Sequence, residues 1–474
     1  MPHTILRQRW VVWGLLAAGF ATVAGYHAVL PIDVDETWVL TVGWQITQGV
    51  DPLRDLYEFH TPGAFYLAAA IIKMFGASVW PLRLVVTLLT AATAWPLWRL
   101  AQLLGLRGWQ PPAVVATWIL LLTMFPWINP NHLAQLGGIW AAWALVFAWQ
   151  KRRLRWFVLA GAIAGLAVWL LQTRGGALVL AGVVIALTAR RLWPLVAYLA
   201  GVGVVWLPFL LWPPALLWHS LVTLPTTQYL PSQFVGVQLV VITVGFLTVL
   251  ALLALAVHAA PSGFWPLWAV ALVLAASIWS RAEIAYWSTI AWPLSVLFFS
   301  LLSCPWPRLS GRPRQTVRAV MWYGGALLAA QVFGWAAING ASRVAMAISD
   351  RRAGRGDLWQ GIGAAVTART LPGEEIFALP YLPGAYFFSQ RPNATPYNTL
   401  LSNFHPPEIL ADAISRLERV KPKVVVRARD SFAVRRGFHQ DGTALDAYLD
   451  DHYRVAQDSV AGYVVEILER RPGL

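Results

Sequence analysis

The chain is nearly without negative charge over its first two-thirds. Of its 22 acidic residues only seven precede residue 340, and six of these, Asp33, Asp35, Glu36, Asp51, Asp55 and Glu58, lie between Pro31 and Pro62, the seventh being Glu283. Cysteine is almost absent too: the single Cys304 excludes an internal disulfide and any metal site built from paired cysteines. There is no Gly-rich phosphate loop, no nucleophile elbow and no metal-spaced Cys or His cluster, nor is any internal repeat or low-complexity linker evident. A soluble fold is excluded by excess, since 58% of the 474 residues are hydrophobic and only 12% charged, and the apolar runs repeatedly reach spanning length. The formal charge of +14 would suit nucleic acid in a soluble chain. Here the basic residues sit in short clusters between apolar runs, where they orient helices, and nucleic acid is set aside as a partner.

What is present is therefore a polytopic α-helical membrane protein over residues 1–339. An apolar run from Trp10 to Leu30 follows Arg7 and Arg9; it is longer than a signal-peptide core and reads as a retained first helix. Further spans are expected at 79–104, 112–128, 133–150, 156–171, 175–189, 192–212, 235–257, 264–279, 285–303 and 319–338. Residues 63–76 are apolar but too short to cross comfortably. With this segment lying along the surface or re-entering, 14 of the 19 basic residues before 340 fall on the cytoplasmic side; making it a span would reverse most of them. The expectation is about eleven transmembrane helices, the amino end cytoplasmic and residues 340–474 outside, as in a bacterial inner membrane. Many of the 28 Trp residues flank helix ends, where the indole favours the interface; Trp38 and Trp44 are also readable as sugar-stacking groups.

Residues 340–474 carry 15 acidic and 17 basic residues and no spanning run. Helical signals at 357–370, after Pro406 and Pro407 to 420, and at 444–452 alternate with strand signals at 375–379, 423–427 and 463–468, which predicts a small soluble α/β domain. The aromatic, turn-rich segment 381–398 reads as a loop facing the membrane or a substrate.

Chemistry is sought in the stretch 31–62, read as the first outer loop. A carboxylate costs several kcal/mol at membrane depth, roughly 2.5–3.5 on insertion scales, whereas at the water boundary an Asp stays ionised and still faces a lipid-borne substrate. Five basic residues break the inside pattern: Arg54, Lys73, Arg83, Arg174 and Arg281. A guanidinium offers phosphate a planar, bidentate fork. Arg174 has no acidic neighbour in sequence and is read as a phosphate ligand; Arg281 reads equally as an ion pair with Glu283. The turn Asn129–His132 is open between helix capping and a functional role.

The order of features resembles a family. Asp35-Glu36 follows the first helix, then come Gly49-x-x-Pro52, His60-x-Pro62 before an aromatic and apolar stretch, Phe75-Gly76, and Arg83-Leu84 opening the next helix. The run GAIAGLAVWLLQTRGG and the set Arg281, Tyr286 and Pro293 add to the likeness. The pattern is similar to the GT-C superfamily of membrane glycosyltransferases that use polyprenyl-phosphate sugars, near the protein O-mannosyltransferases and the lipid A aminoarabinose transferases; the latter carry Lys before their Pro where this chain has His60. The resemblance, over roughly residues 10–300, implies an inverting transfer of a sugar from a polyprenyl-phosphate donor to a lipid, glycan or protein acceptor at the outer face. It implies Asp35 as base with Glu36 beside it, and Arg174, Arg281 and His60 on the donor phosphate. Asp33 with Asp35 forms an Asp-x-Asp pair that would ligate a divalent cation through hard oxygens. The competing class is a transporter or lipid flippase, which tends to carry ionisable groups at the bilayer midplane.

Overall fold

Apolar runs become helices where the backbone must satisfy its own hydrogen bonds, as hydrocarbon requires. The computed structural model describes residues 2–122, 128–189, 191–229, 263–278, 288–303, 341–342, 344–352, 354–429 and 442–473. Its apolar part holds α1 (Pro2–Val29), α2 (Val34–Thr47), α3 (Gly63–Phe75), α4 (Val79–Ala92), α5 (Ala94–Leu103), α6 (Gln110–Leu122), α7 (Pro130–Lys151), α8 (Leu154–Leu170), α9 (Gln172–Leu187), α10 (Leu192–Trp206), α11 (Trp265–Ile278) and α12 (Ser288–Ser303). Among the described residues, Val79–Leu103, Pro130–Lys151 and Leu192–Leu211 are long and apolar enough to cross a membrane. Shorter apolar helices overlap the expected spans at 10–30, 156–171, 175–189, 264–279 and 285–303, and α3 is the 13-residue helix read from sequence as too short to cross. The spans expected at 235–257 and 319–338 lie outside the described residues.

The chain divides into two compact units. One comprises Met1–Val29, Arg83–Leu211 and Phe234–Arg343; the other comprises Leu30–Leu82, Trp212–Gln233 and Val344–Leu474.

The first unit is helical in its described part. Helices α8 and α10 pack so closely that a Cβ on Gly161 would lie 2.0 Å from the Tyr198 carbonyl oxygen, and one on Gly201 2.1 Å from that of Val158. Small residues are what let two backbones approach in a setting where apolar burial alone gives little drive to associate. The outward side of α10 shows Leu192, Trp193, Val196, Leu199 and Val204, a surface suited to lipid.

The second unit contains a four-stranded sheet, β1 (Phe377–Leu379), β2 (Val424–Arg427), β3 (Tyr453–Gln457) and β4 (Glu466–Arg470), in the order β1-β2-β4-β3. β1 and β2 run parallel, with Phe377 opposite Val425, and the other pairs are antiparallel, with Val425 opposite Leu468. Helices α13 (Leu358–Thr367), α14 (Gly384–Ser389), α15 (Pro407–Val420) and α16 (Ala444–His452) accompany it. Phe377, Leu379, Leu417, Val425, Leu449 and Leu468 form its core. The helices and strands expected at 357–370, 375–379, 407–420, 423–427 and 444–452 are present, the last expected strand sits at β4, and β3 and α14 are additional.

The structure corrects the expectation that 31–62 is a loop: Val34–Thr47 is a helix, buried from Glu36 to Gln45. The cause is local. Asp33 adopts an extended backbone and its Oδ1 accepts the Asp35 amide at 3.0 Å, which caps the helix and satisfies one of its orphan donors. Helix α3 packs against α2, so tightly that a Cβ on Gly43 would lie 2.7 Å from that of Ala68.

Candidate functional site

The acidic stretch opens on the first turn of α2. Asp35 and Glu36 sit there, where the helix end carries partial positive charge and favours anions. Glu36 is buried at 3% exposure, while Asp35 is half-buried and so open to both protein and ligand. The Tyr381 hydroxyl donates to Asp35 Oδ1 at 2.8 Å.

One turn further along α2, Trp38 leads to a second cluster. Its indole Nε1 donates to Glu58 Oε2 at 3.0 Å. Glu58 Oε1 accepts the amides of Phe59 at 2.9 Å and His60 at 3.1 Å, and the His60 ring Nδ1 at 2.7 Å. A carboxylate that takes four donors is in its accepting, ionised form, so the proton on the His60 ring belongs on Nδ1. That fixes the imidazole plane and directs the Nε2 edge outward from the dyad, with the His60 side chain 17% exposed. The ring is held between Trp38, centroids 4.8 Å apart, and Phe59, 4.3 Å apart. Positions three apart on a helix share a face, so Asp35 and the indole that supports His60 lie on the same side of α2. Trp38 and Trp44, read as sugar-stacking groups, are both buried, and Trp38 also packs edge-on against Phe65.

The remaining acids of the stretch fold it. Asp51 Oδ1 accepts the amides of Leu53 and Arg54, and the indole of Trp212 donates to both its oxygens. Asp55 Oδ2 accepts the Asp51 amide at 2.7 Å.

In the helical unit, Arg174 lies in the first turn of α9 and is 4% exposed; its guanidinium donates to the carbonyl and the hydroxyl of Ser277, the latter at 3.0 Å. Arg83 is likewise buried and donates to the His27 carbonyl. Arg281, with Glu283, lies outside the described residues. The Asn129 turn proves to be a cap, the side chain accepting the His132 amide at 2.9 Å to start α7.

A divalent cation was expected on Asp33 and Asp35. Among the described residues no group of three or more His, Cys, Asp or Glu is arranged to hold a metal ion. Asp33 already spends an oxygen on the cap of its own helix and Asp35 spends one on Tyr381. A hard cation on these two carboxylates would take the rest of its oxygen shell from water or a phosphate.

Two functional groups escaped sequence reasoning. Glu58 was visible only as one of six acids, although its two-residue spacing from His60 was a signal. Tyr381 lies 346 positions from Asp35, and only its place in an aromatic segment hinted at a role.

Residues 59–218 match the family model described as dolichyl-phosphate-mannose-protein mannosyltransferase, 160 of the 474 residues, a segment that holds His60 and Arg174 and begins after Glu58. No curated protein matches in sequence. In fold the chain is similar to the crystal structure of ArnT from Cupriavidus metallidurans in the apo state, with a TM-score of 0.53 and 14% identity over 98% of each chain. The matched segment is thus similar to that mannosyltransferase family, and the chain as a whole shares the fold of the ArnT structure.

Proposed function

We propose that the protein transfers a sugar from a polyprenyl-phosphate donor to a hydroxyl-bearing lipid, glycan or protein acceptor at the outer face of the membrane, with inversion at the anomeric carbon. The half-buried Asp35 carboxylate, held by a phenol at the start of a buried helix, is the observation that carries this reading. An acceptor hydroxyl becomes a competent nucleophile when a positioned carboxylate takes its proton as the new bond forms. The polyprenyl phosphate then leaves with added negative charge, which preorganised cations and N–H donors stabilise. Asp35 takes the proton, Glu36 supports the first turn, and Arg174, Arg281 and the outward edge of His60 bind the donor phosphate. The positive-inside distribution supports a cytoplasmic amino end, with the acidic stretch and residues 340–474 outside.

The test is transfer of labelled sugar by the purified protein in detergent, where a transporter or flippase has no barrier to work across. Wild type is expected to turn over. Asp35→Asn should lose roughly a hundredfold to ten-thousandfold in kcat with donor affinity nearly unchanged, because the proton moves only in the transition state. Wild-type turnover by Asp35→Asn at saturating donor would remove Asp35 as the base and bring the transporter reading forward.

A further inference from the structure

The contacts around α2 assign a task to the carboxyl-terminal residues. Trp359 donates to the Ile32 carbonyl at 2.9 Å, just ahead of the helix. Thr41 donates to the Pro383 carbonyl at 2.7 Å. Gln45 and Asn398 exchange two amide hydrogen bonds, at 3.0 and 2.7 Å. The Tyr57 amide donates to the Pro396 carbonyl at 3.0 Å. Helix α2 is thus gripped from its first turn to its last by groups more than 300 residues away in sequence. Tyr381 stands in the middle of this grip, two residues before Pro383, and it is the member that reaches a carboxylate.

The anchor of Tyr381 is stiff. The Pro383 carbonyl that follows it is tied to Thr41. Next, Gly384 lies against the indole of Trp359 with no room for a side chain, a Cβ there falling 2.4 Å from Trp359 Cε3. Trp359 is itself fixed to Ile32. Phenol and carboxylate are therefore located by the same few contacts, and the 2.8 Å bond between them is preorganised. The last torsion of a carboxylate is a broad, two-fold well, which a fixed donor narrows. Transition states punish misplacement of the accepting oxygen steeply.

We infer that Tyr381 is a positioning residue for Asp35: its phenol, held by the carboxyl-terminal residues, sets the plane of the carboxylate that takes the acceptor's proton. This rests on Asp35 being the base. The carboxyl-terminal domain then acts in the chemical step through one hydroxyl, and the rest of its grip on α2 is structural.

The experiment compares Tyr381→Phe with Gln45→Leu, which cuts the amide pair with Asn398 at the far end of the helix from Asp35 and Tyr381, and combines Tyr381→Phe with Asp35→Asn. Tyr381→Phe should lower kcat about ten- to a hundredfold, the scale of one hydrogen bond to a charged group, with the donor KM within about twofold of wild type. Gln45→Leu should lower the melting temperature and leave kcat in place. In the Asp35→Asn background, Tyr381→Phe should cost less than about a further twofold, because a group acting through Asp35 has nothing left to position. Loss of kcat by both single variants in proportion to their loss of Tm would reduce Tyr381 to a structural tie and overturn the proposal. So would a full further loss from Tyr381→Phe in the Asp35→Asn background. If Asp35→Asn is inactive while Tyr381→Phe is as fast as wild type, the proposal fails and the catalytic reading stands; if both are fast, both fail.

Discussion

In the helical unit the buried cations Arg83 and Arg174 donate to backbone and hydroxyl oxygens, the carbonyl of His27 and the carbonyl and hydroxyl of Ser277. In the sheet-bearing unit the buried anion Glu58 rests on four N–H groups from Trp38, Phe59 and His60. The same unit also shows the other way of burying charge. Arg427, 2% exposed on β2, meets Glu466 at 2.7 Å and Asp450 at 2.9 Å, and Arg429 shares both of those partners. A charge held by dipoles keeps its field, whereas a charge matched by opposite charges has it cancelled at close range.

Replacing a dipole-held charge should show up in ligand binding. Arg174→Ala is expected to weaken donor binding by about ten- to a hundredfold, the worth of a charge-assisted contact of roughly 1.5–3 kcal/mol. Arg174→Lys should fall between this variant and wild type, since the ammonium keeps the charge and loses the fork. Titration with a polyprenyl-phosphate sugar measures all three, and equal affinities would take Arg174 out of the phosphate site and dissolve the contrast with Arg427.

Glu58→Gln sharpens the comparison from the anionic side. The amide has one accepting oxygen for donors that approach two, so its NH2 must face either the Trp38 indole or the donors around His60. The expected loss is about 1–3 kcal/mol of stability, read as a lower Tm in detergent. A Tm equal to wild type would mean that the four hydrogen bonds to Glu58 do not hold His60 in place.

The sequence made the helices of the bundle legible because hydrocarbon allows little else: once a run is apolar and long, its backbone must close on itself. It concealed α2 because six acids in 32 residues look like a water-facing loop, and the cap pattern Asp33-x-x-Glu36 at its head was read as chemistry alone. Asp51 and Asp55 belong to none of the motifs in the stretch, yet one organises a turn and binds Trp212 while the other ties that turn. Strand β3 escaped because it is an edge with a single buried residue, Tyr453, and so shows no clear alternation. The six residues of α14 are too few for a period to appear. No local pattern links Tyr381 to Asp35, since their meeting depends on the pairing of distant segments. The sequence named the carboxylate and could not name what holds it.

The smallest expected effect is on acid stability, and it separates neutral from charged burial. His405 Nδ1 accepts the Leu401 amide at 3.0 Å, which requires the unprotonated nitrogen. Burial pushes its pKa down to about 4, only partly opposed by its contact with the Leu401 backbone. The folded state thus binds its proton later than the unfolded chain, whose His titrates near 6.5. The stability contributed by the neutral ring is complete above about pH 6.5 and drains away as the pH falls toward about 4. His405→Gln should flatten this part of the Tm–pH curve, and an unchanged slope would show that His405 is not its source.

The amide pair Gln45–Asn398 joins positions 353 residues apart. At about 5–20 residues per second, a ribosome reaches the second amide roughly 20–70 seconds after the first. Throughout that interval the first turn of α2 lacks its phenol and Gln45 lacks its partner. The nascent helix must therefore wait without these partners until the last quarter of the chain emerges. A chain cut short between residue 304 and Tyr381 keeps every described apolar helix and leaves α2 ungripped, so the last quarter of the chain is what completes the setting of Asp35.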